Sequence, residues 1–233
     1  MLEKRLREKI RRIKMRMGFE IEGVFSIEFY EKMKKRGDFK NDYSVKKGSI
    51  IRQWELNEDD LIDYEEFSSK IFESYDEMIE NLSYFEPKNG YFFDKEEWSS
   101  GLHFHVSLPN IQTAFLLASD WRKFKRFQEN FILKNYKERV ESGGYCFAYR
   151  DKRSFIKAFY TGDKYRTMRF HPHGTLEFRF LYPDERRIEA VNQLLKFLLK
   201  EVFKTEYLKF EAILDQQQFD QKKVEFYKHE IIL

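Results

Sequence analysis

Three short stretches of this chain alternate ionisable and apolar residues with a period of two, the spacing at which residues share one face of a β-strand. In S-G-L-H-F-H-V-S-L, from Ser100 to Leu108, His103 and His105 fall on one side and Leu102, Phe104 and Val106 on the other. In G-F-E-I-E-G, from Gly18 to Gly23, Glu20 and Glu22 oppose Phe19 and Ile21. In G-T-L-E-F-R-F-L, from Gly174 to Leu181, Glu177 and Arg179 oppose Leu176, Phe178 and Phe180. Three such strands can share one polar sheet face above a common apolar core. The long apolar runs of a parallel sheet are missing, so the pattern predicts an α+β fold of half-exposed, largely antiparallel strands backed by helices.

A chain of 233 residues suits one full-sized domain, and with 42% hydrophobic and 18% aromatic residues it has ample material for a core. Its 43 Lys and Arg against 40 Asp and Glu leave a formal charge of +3, so no global field marks a nucleic-acid or membrane protein. The one cysteine, Cys146, excludes an internal disulfide framework and fits a reducing, cytoplasmic setting. No apolar run reaches the roughly 18 residues a transmembrane helix needs, and no apolar h-region follows the basic start.

That start places Leu2, Leu6, Ile10, Ile13 and Met17 three or four residues apart among eight cations. It predicts a basic amphipathic helix or appendage over 1–17, either docked with a solvated face or able to hold a macromolecular partner. A catalytic domain would then span 18–210, with a polar extension over 211–233. Within the domain the alternation predicts one strand from Gly18 to Phe29, a loop from Lys32 to Gly48, extended chain from Ile50, and further strand character from Ile62 to Ser68. Helical stripes run from Lys70 to Phe85, capped by Ser68 or Ser69, and through Phe115, Leu116, Trp121, Phe124, Phe127, Phe131 and Ile132 after Pro109-Asn110. Asn89-Gly90 marks a turn and Gly143-Gly144 a break. Tyr149 to Gly162 reads as a basic, aromatic loop with Arg150, Lys152, Arg153 and Lys157. Lys164 to His173 alternates again, setting Thr167, Arg169, His171 and His173 apart from Met168, Phe170 and Pro172. Pro183-Asp184 opens a helix with a wide apolar face from Ile188 to Phe203.

Glu20, Glu22, Glu65, Glu177 and one histidine on a common face crowd like charges together, which is costly unless cations sit among them. An oxygen-rich set with one imidazole suits Mg2+ or Mn2+. Arg169, Arg179 and the basic stretch from Arg150 would complete the combination that neutralises phosphates during phosphoryl transfer. Each pair alone has a plain alternative. An E-x-E strand is commonly a solvated face, an E-x-R pair is commonly an ion pair within a sheet, and H-x-H could hold zinc, although the lone cysteine is far off.

In order and spacing these residues resemble the amidoligase branch of the glutamine synthetase and glutamate-cysteine ligase superfamily. The resemblance runs through G-F-E-I-E at Gly18 to Glu22, D-Y-S at Asp42 to Ser44, E-E-F-S at Glu65 to Ser68, S-G-L-H-F-H-V-S at Ser100 to Ser107, Tyr145-Cys146, and G-T-L-E-F-R at Gly174 to Arg179. It covers roughly residues 17 to 205. It implies a curved antiparallel sheet with helices on its convex face and a concave face that binds ATP and Mg2+. The implied reaction activates a small-molecule or peptide carboxylate as an acyl phosphate, which an amine attacks to form an amide. The resemblance assigns Glu20, Glu22, Glu65, Glu177 and His103 to the metal. His103, His105, Lys164, Arg166 and Arg150 would contact the nucleotide, and Glu20, Arg179 and Arg169 would stand at the reacting centre. Ser69 stands where members commonly carry proline, which leaves Glu65 and Glu66 as competing choices because they face opposite sides of a strand. Arg169 stands where an asparagine-like residue is usual, which bears on the acceptor. Two other readings of the same residues remain. One is a metal-dependent hydrolase using His103, His105 and Glu20 to activate water; the other is a non-catalytic binding module on the same fold.

Overall fold

The computed structural model describes residues 7–8, 10–11, 14–95, 99–107, 121–141, 146–161, 163–171 and 175–199. Six strands form an antiparallel sheet: β1 (Arg16–Glu22), β3 (Gly37–Lys40), β4 (Glu66–Ser69), β6 (Leu102–Ser107), β7 (Met168–His171) and β8 (Thr175–Leu181). They lie in the order β3-β4-β1-β6-β8-β7, and β2 (Val24–Phe25) pairs with β5 (Tyr91–Phe92) in a separate ladder. The three stretches with period-two alternation are therefore neighbours at the centre of the sheet. Seven helices are labelled α1 (Ile27–Met33), α2 (Lys47–Trp54), α3 (Tyr75–Ser83), α4 (Trp121–Phe127), α5 (Lys137–Glu141), α6 (Lys152–Thr161) and α7 (Arg187–Phe197). α4 runs on through a π-helical segment, Gln128–Ile132. Among the described residues no helix is long and apolar enough to cross a membrane.

Alternation decides which side of the sheet meets the core. Met17, Phe19, Ile21, Phe67, Phe104, Val106, Leu176, Phe178 and Phe180 are buried in one cluster with Tyr75, Met78 and Leu82 of α3 and Val191, Leu194 and Leu195 of α7. Helices thus cover the apolar side of the sheet. The two helices are also tied to each other, since the Tyr75 hydroxyl donates to Asn192 Oδ1 at 2.6 Å. Aromatic rings fill this layer, with Phe19 and Phe85 meeting edge to face at 5.5 Å between centroids. Val24, Val45 and Ile50 form a smaller core beside the β2–β5 ladder.

Several local expectations are corrected. The strand expected to run from Gly18 to Phe29 stops early, because Ser26 caps α1 by accepting from the Phe29 amide at 3.1 Å. The loop expected over Lys32 to Gly48 contains β3, and the extended chain expected from Ile50 is α2. The cap of α3 is Ser74 rather than Ser68 or Ser69, which belong to β4. Ile71, counted in the apolar stripe, is exposed. The basic loop expected from Tyr149 to Gly162 is mostly the helix α6, which buries Phe155 behind its exposed cations. The Asn89-Gly90 turn forms as expected, with Gly90 at a φ of 93° that an L side chain rarely adopts. β1 begins at Arg16, and Ile10 and Met15 are buried in the main core, so the end of the basic start belongs to the packed domain. Leu2, Leu6, Ile13, the Pro109-Asn110 stop, Phe115, Leu116, Gly143-Gly144, Tyr145, Pro172, His173, Gly174, Val202, Phe203 and the extension over 211–233 lie outside the described residues.

Candidate functional site

Register assembles the polar face. Glu20 on β1 stands opposite His103 on β6 and Ser68 on β4, and Glu22 stands opposite Glu66. Glu177 on β8 stands opposite His105 on β6 and Arg169 on β7. Side chains separated by up to 83 positions in sequence thereby become cross-strand neighbours, as pairing in a pleated sheet requires.

His103 is the hub. Its Nδ1 lies 3.4 Å from Glu20 Oε2 and 3.9 Å from Glu177 Oε1, and its Nε2 lies 3.3 Å from Glu22 Oε1. Arg179 Nη1 approaches the same Nδ1 at 3.4 Å and can only donate. His105 Nε2 lies 3.5 Å from Glu20 Oε2, and its Nδ1 is 3.2 Å from the Thr175 hydroxyl. The Glu177 carboxylate is fully buried and accepts from Arg179 Nη1 on one oxygen and Arg169 Nε on the other.

The electrostatics divide the cluster. Burial, followed by the Arg179 charge, pulls the His103 pKa down to about 4, so the ring is neutral at pH 7. Burial raises Glu177, but Arg179, His103 and Arg169 outweigh it and bring the carboxyl down to about 2. Burial likewise raises Glu20, and hydrogen bonds to the two imidazoles outweigh it, leaving the group ionised. Glu22 and Glu66 go the other way. Burial, reinforced by neighbouring carboxylates, lifts Glu22 to about 8 and Glu66 to about 7. Two carboxyls on this face thus hold protons near neutrality where a divalent cation would displace them.

Two groups have the donor set and spacing for a cation. Glu20, His105 and Glu177 each offer a ligand atom within 4.8 Å of the others, and so do Glu22, Asp42 and Glu66. His105 turns Nε2 toward Glu20 Oε2 at 3.5 Å while Nδ1 is held by Thr175, which aims this nitrogen at the same point as the carboxylates. Carboxylates with one imidazole match a hard divalent ion such as Mg2+ or Mn2+.

Two cavities meet at Glu20. One, of about 270 Å3, is lined by Glu20, Glu22, Asp42, Glu66 and His103 against Arg139, Lys164, Arg169 and Arg179, giving it an acidic and a basic wall. The other, of about 370 Å3, is bounded by Gly18, Ser69, Ile71, His105, His171 and Thr175 and is far less charged. Gly101 allows the close packing of Arg139, Glu22 and His103 beside the charged cavity. A Cβ there would stand 2.5 Å from Arg139 Nη2 and 2.7 Å from Glu22 Oε2.

Most residues singled out in the sequence converge here: Glu20, Glu22, His103, His105, Arg169, Glu177 and Arg179 all share the face, and Lys164 lines the charged cavity. Others do not. Glu66, rather than Glu65, contributes the carboxylate of β4, because the strand turns alternate residues to opposite sides. Glu65 supports the site indirectly by accepting from the Asp42 amide at 3.2 Å. Arg166 is engaged elsewhere, donating from Nε to Asp163 at 3.1 Å and from Nη1 to the Ala148 carbonyl at 3.4 Å. Arg150 is exposed and lines neither cavity. Two contributors carried no assignment from the sequence. Asp42 is held in a tight turn in which its Oδ1 accepts from the Ser44 amide and hydroxyl, at 2.8 and 2.7 Å. Arg139 on α5 is buried beneath Ser100, donating to its carbonyl at 2.9 Å. Asp42 had a signal in the D-Y-S stretch, whereas K-E-R-V gives no hint that its arginine turns inward. No protein-family model matches the chain, and no curated protein matches it.

Proposed function

We propose that this chain is an ATP- and Mg2+-dependent carboxylate-amine ligase that forms an amide through an acyl phosphate, on a sheet of the glutamine synthetase type. One observation carries the reading. Two groups suited to divalent cations lie side by side on one sheet face, between a charged cavity with a basic wall and a second, less charged cavity. Joining two substrates at the expense of a nucleotide needs this provision of adjacent compartments with charge neutralisation between them.

In this reading Glu20, His105 and Glu177 hold one ion and Glu22, Asp42 and Glu66 another. Mg2+ would supply neutralisation of phosphate charge, and ATP the phosphoryl group. The chain's own residues do the rest. Arg169 and Arg179, fixed by the Glu177 carboxylate, aim donors at a transferring phosphoryl or carboxylate group. Arg139 and Lys164 extend that basic wall. Neutral His103 fills the space between Glu20, Glu22 and Glu177 without adding charge.

The test is incubation with ATP, Mg2+ and mixed carboxylates and amines, reading ADP and phosphate. Release that requires both co-substrates is the expected result, and failure to bind nucleotide in calorimetry would sink the reading. The contact between His105 and Glu20 also favours a second reading, a metal-dependent amide or phosphoester hydrolase in which this pair activates water. Turnover without ATP would select it. If Glu20→Gln and Arg179→Ala both leave the protein's function intact, the fold serves as a binding module instead.

A further inference from the structure

Beside the charged cavity, the chain from Cys146 to Thr167 carries six basic residues against two acidic ones. Its net +4 exceeds the +3 of the whole chain, so the remainder is close to neutral. Backbone hydrogen bonds bring the two ends of this stretch together. The 146–150 segment lies along the 164–167 turn, with the Phe147 amide donating to the Tyr165 carbonyl at 2.6 Å and the Thr167 amide to the Phe147 carbonyl at 3.2 Å. The α6 helix follows directly and packs on β7, the edge strand that carries Arg169. Tyr149 anchors the segment from behind, donating its hydroxyl to the Met168 carbonyl and meeting the Phe155 ring at 4.8 Å.

Two features of this surface are not required by the fold. Phe147 and Tyr165 are 41% and 48% exposed, although backbone hydrogen bonds tie their two segments together. Arg150, Lys152, Arg153 and Lys157 are all exposed and form no salt bridge among the described residues. Exposed rings set among unpaired cations match the requirements of a single nucleic-acid strand: phosphates are met by cations, and unpaired bases stack on ring faces. An acidic peptide would use the cations and leave the rings unexplained.

We propose that the surface formed by Phe147, Arg150, Lys152, Arg153, Lys157 and Tyr165 binds single-stranded nucleic acid. This binding needs neither ATP nor metal; of these residues Tyr165 alone also lines the charged cavity.

Fluorescence anisotropy with a labelled single strand of about 20 nucleotides tests it, the length exceeding the site size of such surfaces. If four phosphates are neutralised, affinity should fall roughly 50-fold between about 50 and about 200 mM salt. Reversing Lys152, Arg153 and Lys157 to Glu should weaken binding at least about tenfold and flatten the salt dependence. Phe147→Ala should weaken it by roughly tenfold at unchanged salt slope, with Phe147→Trp retaining affinity, since stacking is tolerant of ring type. Parent-like melting temperatures establish that these surface variants are folded. The proposal is overturned by absence of binding at about 50 mM salt, where electrostatic association is strongest. Equal binding of duplex, or equal competition by poly-glutamate, also overturns it. So does a loss of binding on reversing Lys4, Arg5 and Lys14 while the α6 variants bind like the parent.

Discussion

Glu177 and Arg179 sit two residues apart on β8, and the guanidinium donates to a carboxylate from which solvent is wholly excluded. Arg169 grips the second oxygen from β7. Removing one partner of a buried pair leaves the other charge uncompensated, at a cost of about 3 to 5 kcal/mol. Arg179→Ala should therefore lower unfolding free energy by an amount in that range, measured by urea denaturation at pH 7. A loss below about 1 kcal/mol would mean that Arg169 alone balances Glu177.

Glu20 is the carboxylate common to both cavities and is less enclosed than Glu177. Glu20→Gln is expected to preserve the fold while lowering Mg2+-dependent ADP formation by at least about a hundredfold, the scale of losing a group that holds a catalytic ion. An unchanged rate would show that chemistry occurs elsewhere on the molecule.

Glu22 and Glu66 set the pH response of the metal-free chain. Their folded pKa values, about 8 and about 7, lie above the ordinary 4.5. The unfolded chain therefore gives up these protons first, and the stability they contribute is complete below about pH 4.5 and is lost as pH rises through 7 to 8. Melting temperature in chelator should fall between pH 6 and pH 8.5, and saturating Mg2+ should reduce that fall by taking the place of the protons. Glu22→Gln should flatten the chelator curve; parallel curves for variant and parent would contradict the assignment.

Glu65 and Glu66 separate a supporting role from a direct one. Glu66→Gln should weaken Mg2+ binding by more than about tenfold, and Glu65→Gln by less, since Glu65 acts through the Asp42 amide. Calorimetric titration of both variants decides between them, and the reverse order would move the ligand set to the other side of β4.

Gly101→Ala forces a methyl against Arg139 and Glu22, with a destabilisation of about 1 to 3 kcal/mol. Gly18→Ala meets nothing nearer than Ser69 Oγ at 3.5 Å and should be mild by comparison. Chemical denaturation of the two variants, paired with Mg2+ affinity, measures the difference.

The period-two alternation determined, from sequence alone, that Glu20, Glu22, His103, His105, Glu177 and Arg179 lie opposite apolar residues, because pleating is local and burial selects the apolar side. It also made an α+β architecture with antiparallel strands the natural outcome. Alternation does not encode which strands are neighbours, or in what register. Burial of Phe19, Phe67, Phe104 and Phe178 in one core brings β4, β1, β6 and β8 together, and that packing turns Glu66 rather than Glu65 toward Glu22. The sequence suggested a loop where α6 stands, since Arg150, Lys152, Arg153 and Lys157 dominate the stretch and the packing of Phe155 on Phe124 and Tyr149 exists only after folding. Arg139 was illegible for the same reason: a cation in a charged helix reads as solvated until tertiary structure lays it beneath Gly101 and Ser100.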